Sequence, residues 1–236
     1  MWLNQEKITD ASIRTYRQLL VSSCPNHVVI DGLFDEDKLD RVMKVLHHPS
    51  RWQTQKHTYA ALYVDDDEWD NTEHEHRFVR RDIWLRNENL AKPDNTLPHC
   101  NKVASEFLSY LRGDEFMSVL SRIFDVTLTD KHVGDPQLNT NFFRLSTNDF
   151  VEQHADDSPG REVCMLLYLN KAWQDDAGGE LVFLGQNEES VNVAPLYNRC
   201  VLFDPSSIGS EHLVKRLNAG LVDVYRYNVT SWYWSE

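Results

Sequence analysis

The 236-residue chain is poor in cysteine and in positive charge, and it has no long apolar run. Its four cysteines (Cys24, Cys100, Cys164 and Cys200) lie far apart with no C-x-x-C pair, which speaks against a zinc ribbon or a thioredoxin-like site. Cys164 and Cys200 fall in strand-like runs, where a thiol behaves as a small buried hydrophobe. No stretch approaches the roughly 18 apolar residues of a membrane span, so no membrane association is expected. The opening residues Met1-Trp2-Leu3-Asn4-Gln5-Glu6-Lys7 lack the basic-then-apolar pattern of a signal peptide, and a cytoplasmic location is expected, where disulfides are not. Lys and Arg number 24 against 37 Asp and Glu, a net charge of −13. Nucleic acid demands a basic face and is not an expected partner. The acid excess leaves cationic and neutral substrates open, although net charge of this size commonly does no more than maintain solubility. There is no internal repeat and no low-complexity linker, and nothing in the sequence fixes the oligomeric state.

What is present is enough to fold. Hydrophobic residues make up 41% and aromatics 11%, and the length suits one domain with a helical annex. In the first half, Asp10 is placed to cap a helix carrying Ile13, Tyr16 and Leu20 on one face. His27 to Ile30 reads as a short strand ended by Asp31-Gly32. Leu39, Val42, Met43 and Leu46 give helical spacing from Asp35 to His48, stopped by Pro49. A further helix is expected from about Pro98 to Arg112, ended by Gly113, and another carries Phe116, Val119, Leu120 and Ile123. Residues 50–97 read as irregular. Within them, residues 65–76 hold seven acids and no Lys or Arg in twelve positions, the composition of a solvated, mobile loop. After Val126 the pattern turns to strands: Leu138–Leu145, Glu162–Asn170, Glu180–Leu184, Ser190–Val193, Arg199–Phe203 and Val222–Trp234. Several short strands broken by Gly178-Gly179, Asp204-Pro205 and Asn218-Ala219-Gly220 suggest a sandwich or barrel-like jelly roll.

Three polar residues interrupt this β-half: His154, Asp156 and His212. Positions i and i+2 of a strand project from one face, so His154 and Asp156 can reach one metal together. A third ligand from a later strand would complete two imidazoles and one carboxylate on one face of an octahedron, the ligand set of non-haem Fe(II) oxygenases. H-x-D alone is weak evidence. His74 and His76 have the same spacing but sit in the acidic run with no third rigid ligand. His47-His48 fall at a helix C-terminus, where imidazoles meet free carbonyls. Trp52, Trp69 and Trp84 are assigned to ordinary packing.

From about Asn139 onward the sequence resembles the Fe(II)/2-oxoglutarate-dependent dioxygenases, in particular their prolyl 4-hydroxylase-like branch. The resemblance rests on ordered motifs: His154-Ala155-Asp156, Arg161, Leu167-Tyr168-Leu169-Asn170-Lys171-Ala172-Trp173, Gly178-Gly179-Glu180-Leu181, Val193-Ala194-Pro195, Arg199-Cys200-Val201-Leu202-Phe203, and a last block with His212, Arg226, Thr230 and Trp232. It implies an α+β, mainly β fold: a double-stranded β-helix (jelly roll, cupin-like) core with N-terminal supporting helices. Residues 1–236 then form one domain, with 1–125 a helical, substrate-covering part and 126–236 the catalytic core.

The same resemblance assigns His154, Asp156 and His212 to Fe(II), and Arg226 to the distal carboxylate of 2-oxoglutarate, with Tyr168 and Thr230 as hydroxyl partners. Arginine suits that task because its planar fork binds a carboxylate bidentately and stays charged when desolvated. Arg226, Asn228, Thr230 and Trp232 alternate onto one face of the final strand, and Cys164, Leu166 and Tyr168 onto one face of theirs. Arg144, ten residues before His154, stands where relatives place a polar contact to cosubstrate or substrate; a surface strand cation is an equal reading.

Two departures stand out. The stretch from His212 to Arg226 is several residues longer than in those relatives, which Asn218-Ala219-Gly220 absorbs as a turn; Lys215 or Arg216 is the alternative anchor. The loop from Asp157 to Gly160 is short. Asp156 also fills the position that related halogenases leave small, implying oxygen transfer. The implied reaction hydroxylates an unactivated C–H of an amino-acid, peptidyl (prolyl among them) or small natural-product substrate, using O2 and releasing succinate and CO2. Ascorbate is the implied reductant for oxidised iron, and the acidic run suggests a basic substrate. The competing reading is a non-catalytic metal-binding jelly roll, a sensor or binding module.

Overall fold

The computed structural model describes residues 1–86, 100–129, 133, 136–187, 189–221 and 223–235. Among them eleven strands form one curled antiparallel sheet: β1 (His27–Asp31), β2 (Trp52–Thr58), β3 (Arg77–Trp84), β4 (Thr140–Leu145), β5 (Phe150–His154), β6 (Arg161–Tyr168), β7 (Leu181–Phe183), β8 (Val191–Val193), β9 (Arg199–Phe203), β10 (His212–Val214) and β11 (Arg226–Trp234). Hydrogen-bonded neighbours run β1-β9-β6-β11-β4-β3-β5-β10-β7-β8, with β2 attached to β3 outside that path. This is the expected jelly-roll-like core. The helices are α1 (Asp10–Ser22), α2 (Glu36–Leu46), α3 (Asp66–Asn71), α4 (Cys100–Leu111) and α5 (Asp114–Phe124). No helix among the described residues is long and apolar enough to cross a membrane.

Strand alternation divides the two faces. Val163, Met165 and Leu167 of β6 pack outward against Leu39 and Val42 of α2, Phe107 and Leu111 of α4, and Phe116 and Leu120 of α5. Cys164, Leu166 and Tyr168 turn inward to meet Leu181, Phe183, Val201 and Phe203. The helices therefore seal the convex face and leave the concave face to the site. Cys164 and Cys200 are fully buried free thiols, and burial pushes both above the ordinary thiol range.

Residues 50–97 differ most from the sequence expectation. β2 and β3 form a long hairpin, and β3 enters the main sheet. Its end near Asp82 and Ile83 pairs with β4, while Val79 and Arg80 pair with β5. The acidic run is no loop: Asp65 accepts from the Glu68 amide to cap α3, and a 3-10 turn follows at His74–His76. Carboxylates in a first helical turn are stabilising, and Trp69, buried under Lys56 and Arg77, anchors the turn. β1, β2 and β3 make the first half more than a helical cover. Smaller corrections concern boundaries. Thr9 rather than Asp10 caps α1; β5 and β10, unmarked in the sequence reading, are strands; Pro98 and Val222 lie outside the described residues. Gly113 closes α4 and starts α5.

The N-terminal segment is locked to the sheet by Asn198, which is buried with a φ of 56°. Its side chain accepts from the Phe34 amide (3.1 Å) and donates to the Phe34 carbonyl (2.8 Å), and its own carbonyl accepts from Gly32 (2.9 Å). Asn198→Ala strips two buried backbone groups of their partners and places a Cβ-bearing residue without side-chain compensation in the left-handed region. Urea unfolding should register a loss of about 2–4 kcal/mol.

Candidate metal and cosubstrate site

His154 ends β5 and His212 begins β10, and the antiparallel register sets them directly opposite each other. Their rings lie 4.2 Å apart. Asp156, two residues past His154, completes the group: Oδ1 is 3.7 Å from His154 Nε2 and Oδ2 is 3.8 Å from His212 Nε2. The three ligand atoms lie within 4.8 Å of one another, and no other such group occurs among the described residues. His74 and His76 belong to no such group.

Neighbouring atoms orient each ligand. His154 Nδ1 lies 3.0 Å from the Glu152 carbonyl and His212 Nδ1 2.9 Å from the Ser210 carbonyl. A carbonyl only accepts, so both Nδ1 atoms carry the proton and both Nε2 lone pairs face Asp156. Trp232 Nε1 donates to Asp156 Oδ2 at 3.0 Å, and the Arg161 guanidinium holds the Asp156 carbonyl. Burial works to raise the Asp156 carboxyl, but the two histidines, Trp232 and Arg161 outweigh it and keep it below its ordinary value. Burial, then the neighbouring His212, depresses His154 to about 4. The trio is thus a deprotonated carboxylate and an imidazole poised as a neutral ligand, the donor set that suits Fe(II).

The same cavity continues to a second cluster on β11. Arg226 is 1% exposed; its Nε donates to the Gly179 carbonyl at 2.7 Å and its Nη1 to Asn228 Oδ1 at 2.8 Å. Asn228 Nδ2 in turn donates to Thr230 Oγ1 at 2.9 Å. Tyr168 is fully buried, with its ring 4.8 Å from the Arg226 guanidinium. Arg226 Nη2 and the Tyr168 hydroxyl have no hydrogen-bond partner. Buried polar groups are rarely left so, and together they make a socket shaped for an anion. Gly179 is required here: at its φ of 79° a Cβ would stand 3.0 Å from Arg226 Cδ. The residues present therefore fit both Fe(II) and the distal carboxylate of 2-oxoglutarate.

Arg144 does not join them. Phe143 and Leu145 face the cavity, so Arg144 points the other way, where it pairs with Asp82 at 2.9 Å and stacks on Trp52 and Tyr225. Arg216 reaches outward to Glu152 and Lys215 to Glu180, so neither replaces Arg226. Asn218–Gly220 forms the expected turn, with Asn218 Oδ1 accepting from the Gly220 amide. None of the seven acids of residues 65–76 lines the cavity, and Asp66 is engaged with Lys56 at 2.6 Å. The cavity wall does include Arg81 of β3, which the sequence reading passed over. Its spacing from Val79, a buried residue two positions earlier on the same strand face, was the available signal.

Residues 140–234 match the 2OG-Fe(II) oxygenase superfamily. Over 133 residues the chain is 22% identical to the mouse (Mus musculus) prolyl 3-hydroxylase OGFOD1, covering 54% of this chain but 23% of that protein's length. Its fold is similar to a Pseudomonas putida prolyl-4-hydroxylase (TM-score 0.60, 16% identity, 95% of this chain and 99% of that one). It is also similar to a prolyl hydroxylase from Trichoplax adhaerens, solved with a hypoxia inducible factor peptide fragment (TM-score 0.64, 18% identity, 98% and 91%).

Burial gives the metal-free protein a testable acid sensitivity. His57 is 3% exposed, accepts from the Tyr63 amide through Nδ1 (2.9 Å), and is depressed to about 4 by burial and Arg81. The unfolded chain binds this proton near pH 6.5 and the folded one does not, so stability is intact above 6.5 and falls as pH drops toward 4. His57→Asn, which keeps the acceptor, should reduce the pH slope of unfolding free energy in that window by about one proton. Equal slopes in both proteins would contradict the assignment.

Proposed function

We propose, from the match of residues 140–234 to the 2OG-Fe(II) oxygenase superfamily, that the chain is an Fe(II)- and 2-oxoglutarate-dependent hydroxylase. Its substrate on this reading is an amino acid, a peptidyl residue (proline among them) or a small natural-product molecule. The observation that carries the proposal is the meeting, in one cavity, of the His154–Asp156–His212 trio with the Arg226 guanidinium, whose Nη2 has no partner and which lies against the unpartnered Tyr168 phenol. A plain metal-binding module has no use for the second cluster.

The bound group would supply the redox chemistry that couples decarboxylation of 2-oxoglutarate to insertion of oxygen into a C–H bond. The chain's own residues supply position and charge. His154, Asp156 and His212 would hold the metal. Trp232 fixes the rotamer of Asp156. Arg226 would hold the distal carboxylate through its unpartnered Nη2, and the Tyr168 hydroxyl would donate to the same group. Thr230, already accepting from Asn228, keeps its own proton free to donate. Leu145, Val151, Leu166 and Val214 line the remaining wall and limit water around the reacting centre. The relatives named as prolyl hydroxylases, and the peptide bound to one of them, support a peptidyl substrate.

Anaerobic addition of Fe(II) and 2-oxoglutarate should produce a visible charge-transfer band, and air should then yield succinate. His154→Ala and His212→Ala should abolish metal retention and succinate together. Arg226→Ala should leave metal binding intact and weaken 2-oxoglutarate at least tenfold, the scale of one lost charge-assisted contact. A wild-type protein that retains the metal but gives neither band nor succinate would favour the binding module.

A further inference from the structure

Arg81 is the cavity-lining cation, among the described residues, to which the reading above gives no task. It sits at the corner of the sheet: Val79 and Arg80 pair with β5, Asp82 and Ile83 pair with β4, and Arg81 falls between the two ladders. Its neighbours on the strand show what an arginine here ordinarily does. Arg80, on the opposite face, meets Asp149 at 2.5 Å. Arg144 across the strand meets Asp82 at 2.9 Å. Arg81 has no carboxylate within ion-pair distance among the described residues, and its Nε has no acceptor. Its guanidinium lies 3.7 Å from the centre of the Phe143 ring, which holds the plane without neutralising it. Burial lowers its pKa to about 10, against the pull of Asp156 and Tyr63, so the charge persists at neutral pH.

Charge balance gives that cation a partner class. Inside the cavity Asp156 offsets Arg226, and a divalent metal offsets a dianionic keto acid. Among the residues that line the cavity, this leaves the guanidinium of Arg81 without a counter-charge; Arg161, outside the lining, rests on Asp156. Arg226 lies at the sealed end, against Gly179 and Tyr168. Arg81 lies at the other end, next to His57, whose ring packs on Tyr63, 68% exposed. Arg81 thus has both Asp156 of the metal-ligand trio and the exposed Tyr63 within electrostatic reach.

We propose that Arg81 is a specificity-determining residue that binds a carboxylate of the primary substrate, so that the enzyme acts on an acid in preference to its uncharged analogue. This rests on the hydroxylase reading and sharpens its substrate class. The carboxylate belongs either to a free amino acid or to the C-terminal residue of a peptide, and matched probes separate the two.

The experiment is calorimetric titration of the anaerobic Fe(II)/2-oxoglutarate-loaded protein with two acid–amide pairs: L-proline against L-prolinamide, and N-acetyl-Gly-Pro against its amide. At least one acid should bind tenfold or more tightly than its amide, and the pair that does so names the source. Arg81→Gln should bring that ratio to within threefold by weakening the acid alone, while 2-oxoglutarate affinity stays within threefold of wild type. Arg81→Lys, which keeps the charge and loses the fork, should retain a preference for the acid. Four results overturn the proposal: amides that bind as tightly as acids, no binding of any probe, a preference that survives Arg81→Gln, or a tenfold loss of 2-oxoglutarate affinity in Arg81→Gln. The last would move the guanidinium to the cosubstrate. Failure of the wild-type protein to bind 2-oxoglutarate at all would instead overturn the hydroxylase reading, and this proposal with it.

Discussion

The site depends on one strand that pairs twice. β3 gives its start to β5 and its end to β4, and so folds the sheet over on itself. β5 carries His154, and β4 pairs with β11, which carries Arg226. Without the shared strand, the metal-holding edge of the sheet and the anion-holding floor would have no fixed relation. Bidentate chelation of a small keto acid demands such a relation, because a misplacement of about 1 Å is enough to cost orders of magnitude in rate. The helices contribute indirectly: by covering the convex face with Phe107, Leu111, Phe116 and Leu120 they hold the curl that β3 imposes.

Within that frame the electrostatics are arranged by burial and partner count rather than by total charge. Asp156 is kept ionised by two imidazoles, an indole N–H and a guanidinium. Arg226 is desolvated yet given only two acceptors, leaving Nη2 unsatisfied. A satisfied arginine would be a structural element, whereas an unsatisfied one in a sealed cavity is a standing demand for an anion. The contrast with Arg144, fully engaged by Asp82, Trp52 and Tyr225 on the other face of the same sheet, separates the two uses of one residue type.

The legible and illegible parts of the sequence follow from what local pattern can encode. β6 and β11 alternate cleanly, so the facing of Cys164, Leu166 and Tyr168, and of Arg226, Asn228 and Thr230, could be read without a structure. β10 is three residues long and β5 five, too short for a period to appear, although each bears a metal ligand. β3 was hidden by its own chemistry. Arg-Phe-Val-Arg-Arg-Asp-Ile-Trp looks like a solvated segment, yet Arg80 and Asp82 are paired with Asp149 and Arg144, residues distant in sequence. The acidic run misled for a related reason. High charge density suggests a loop, yet three acids in a first helical turn are a helix-starting signal, and one tryptophan is enough to seat it. Arg144 carries two equal readings in the sequence, and of these the structure shows the strand cation, facing away from Phe143 and Leu145 and paired with Asp82.

Net charge and site charge have therefore to be argued separately. A chain at −13 invites a cationic ligand, but none of the acids of residues 65–76 lines the cavity, and Asp65 and Asp66 are engaged in capping α3 and in pairing with Lys56. The cavity wall carries two arginines, Arg81 and Arg226, against one carboxylate, Asp156. At an ionic strength of 0.15 M exposed charges are screened beyond about 8 Å, whereas two guanidinium groups in a low-dielectric cavity are not. Selection inside the cavity is thus set by the few buried charges that lack partners, and their sign is opposite to that of the protein as a whole. An acidic surface around a cationic pocket also disfavours non-specific anion binding on the exterior.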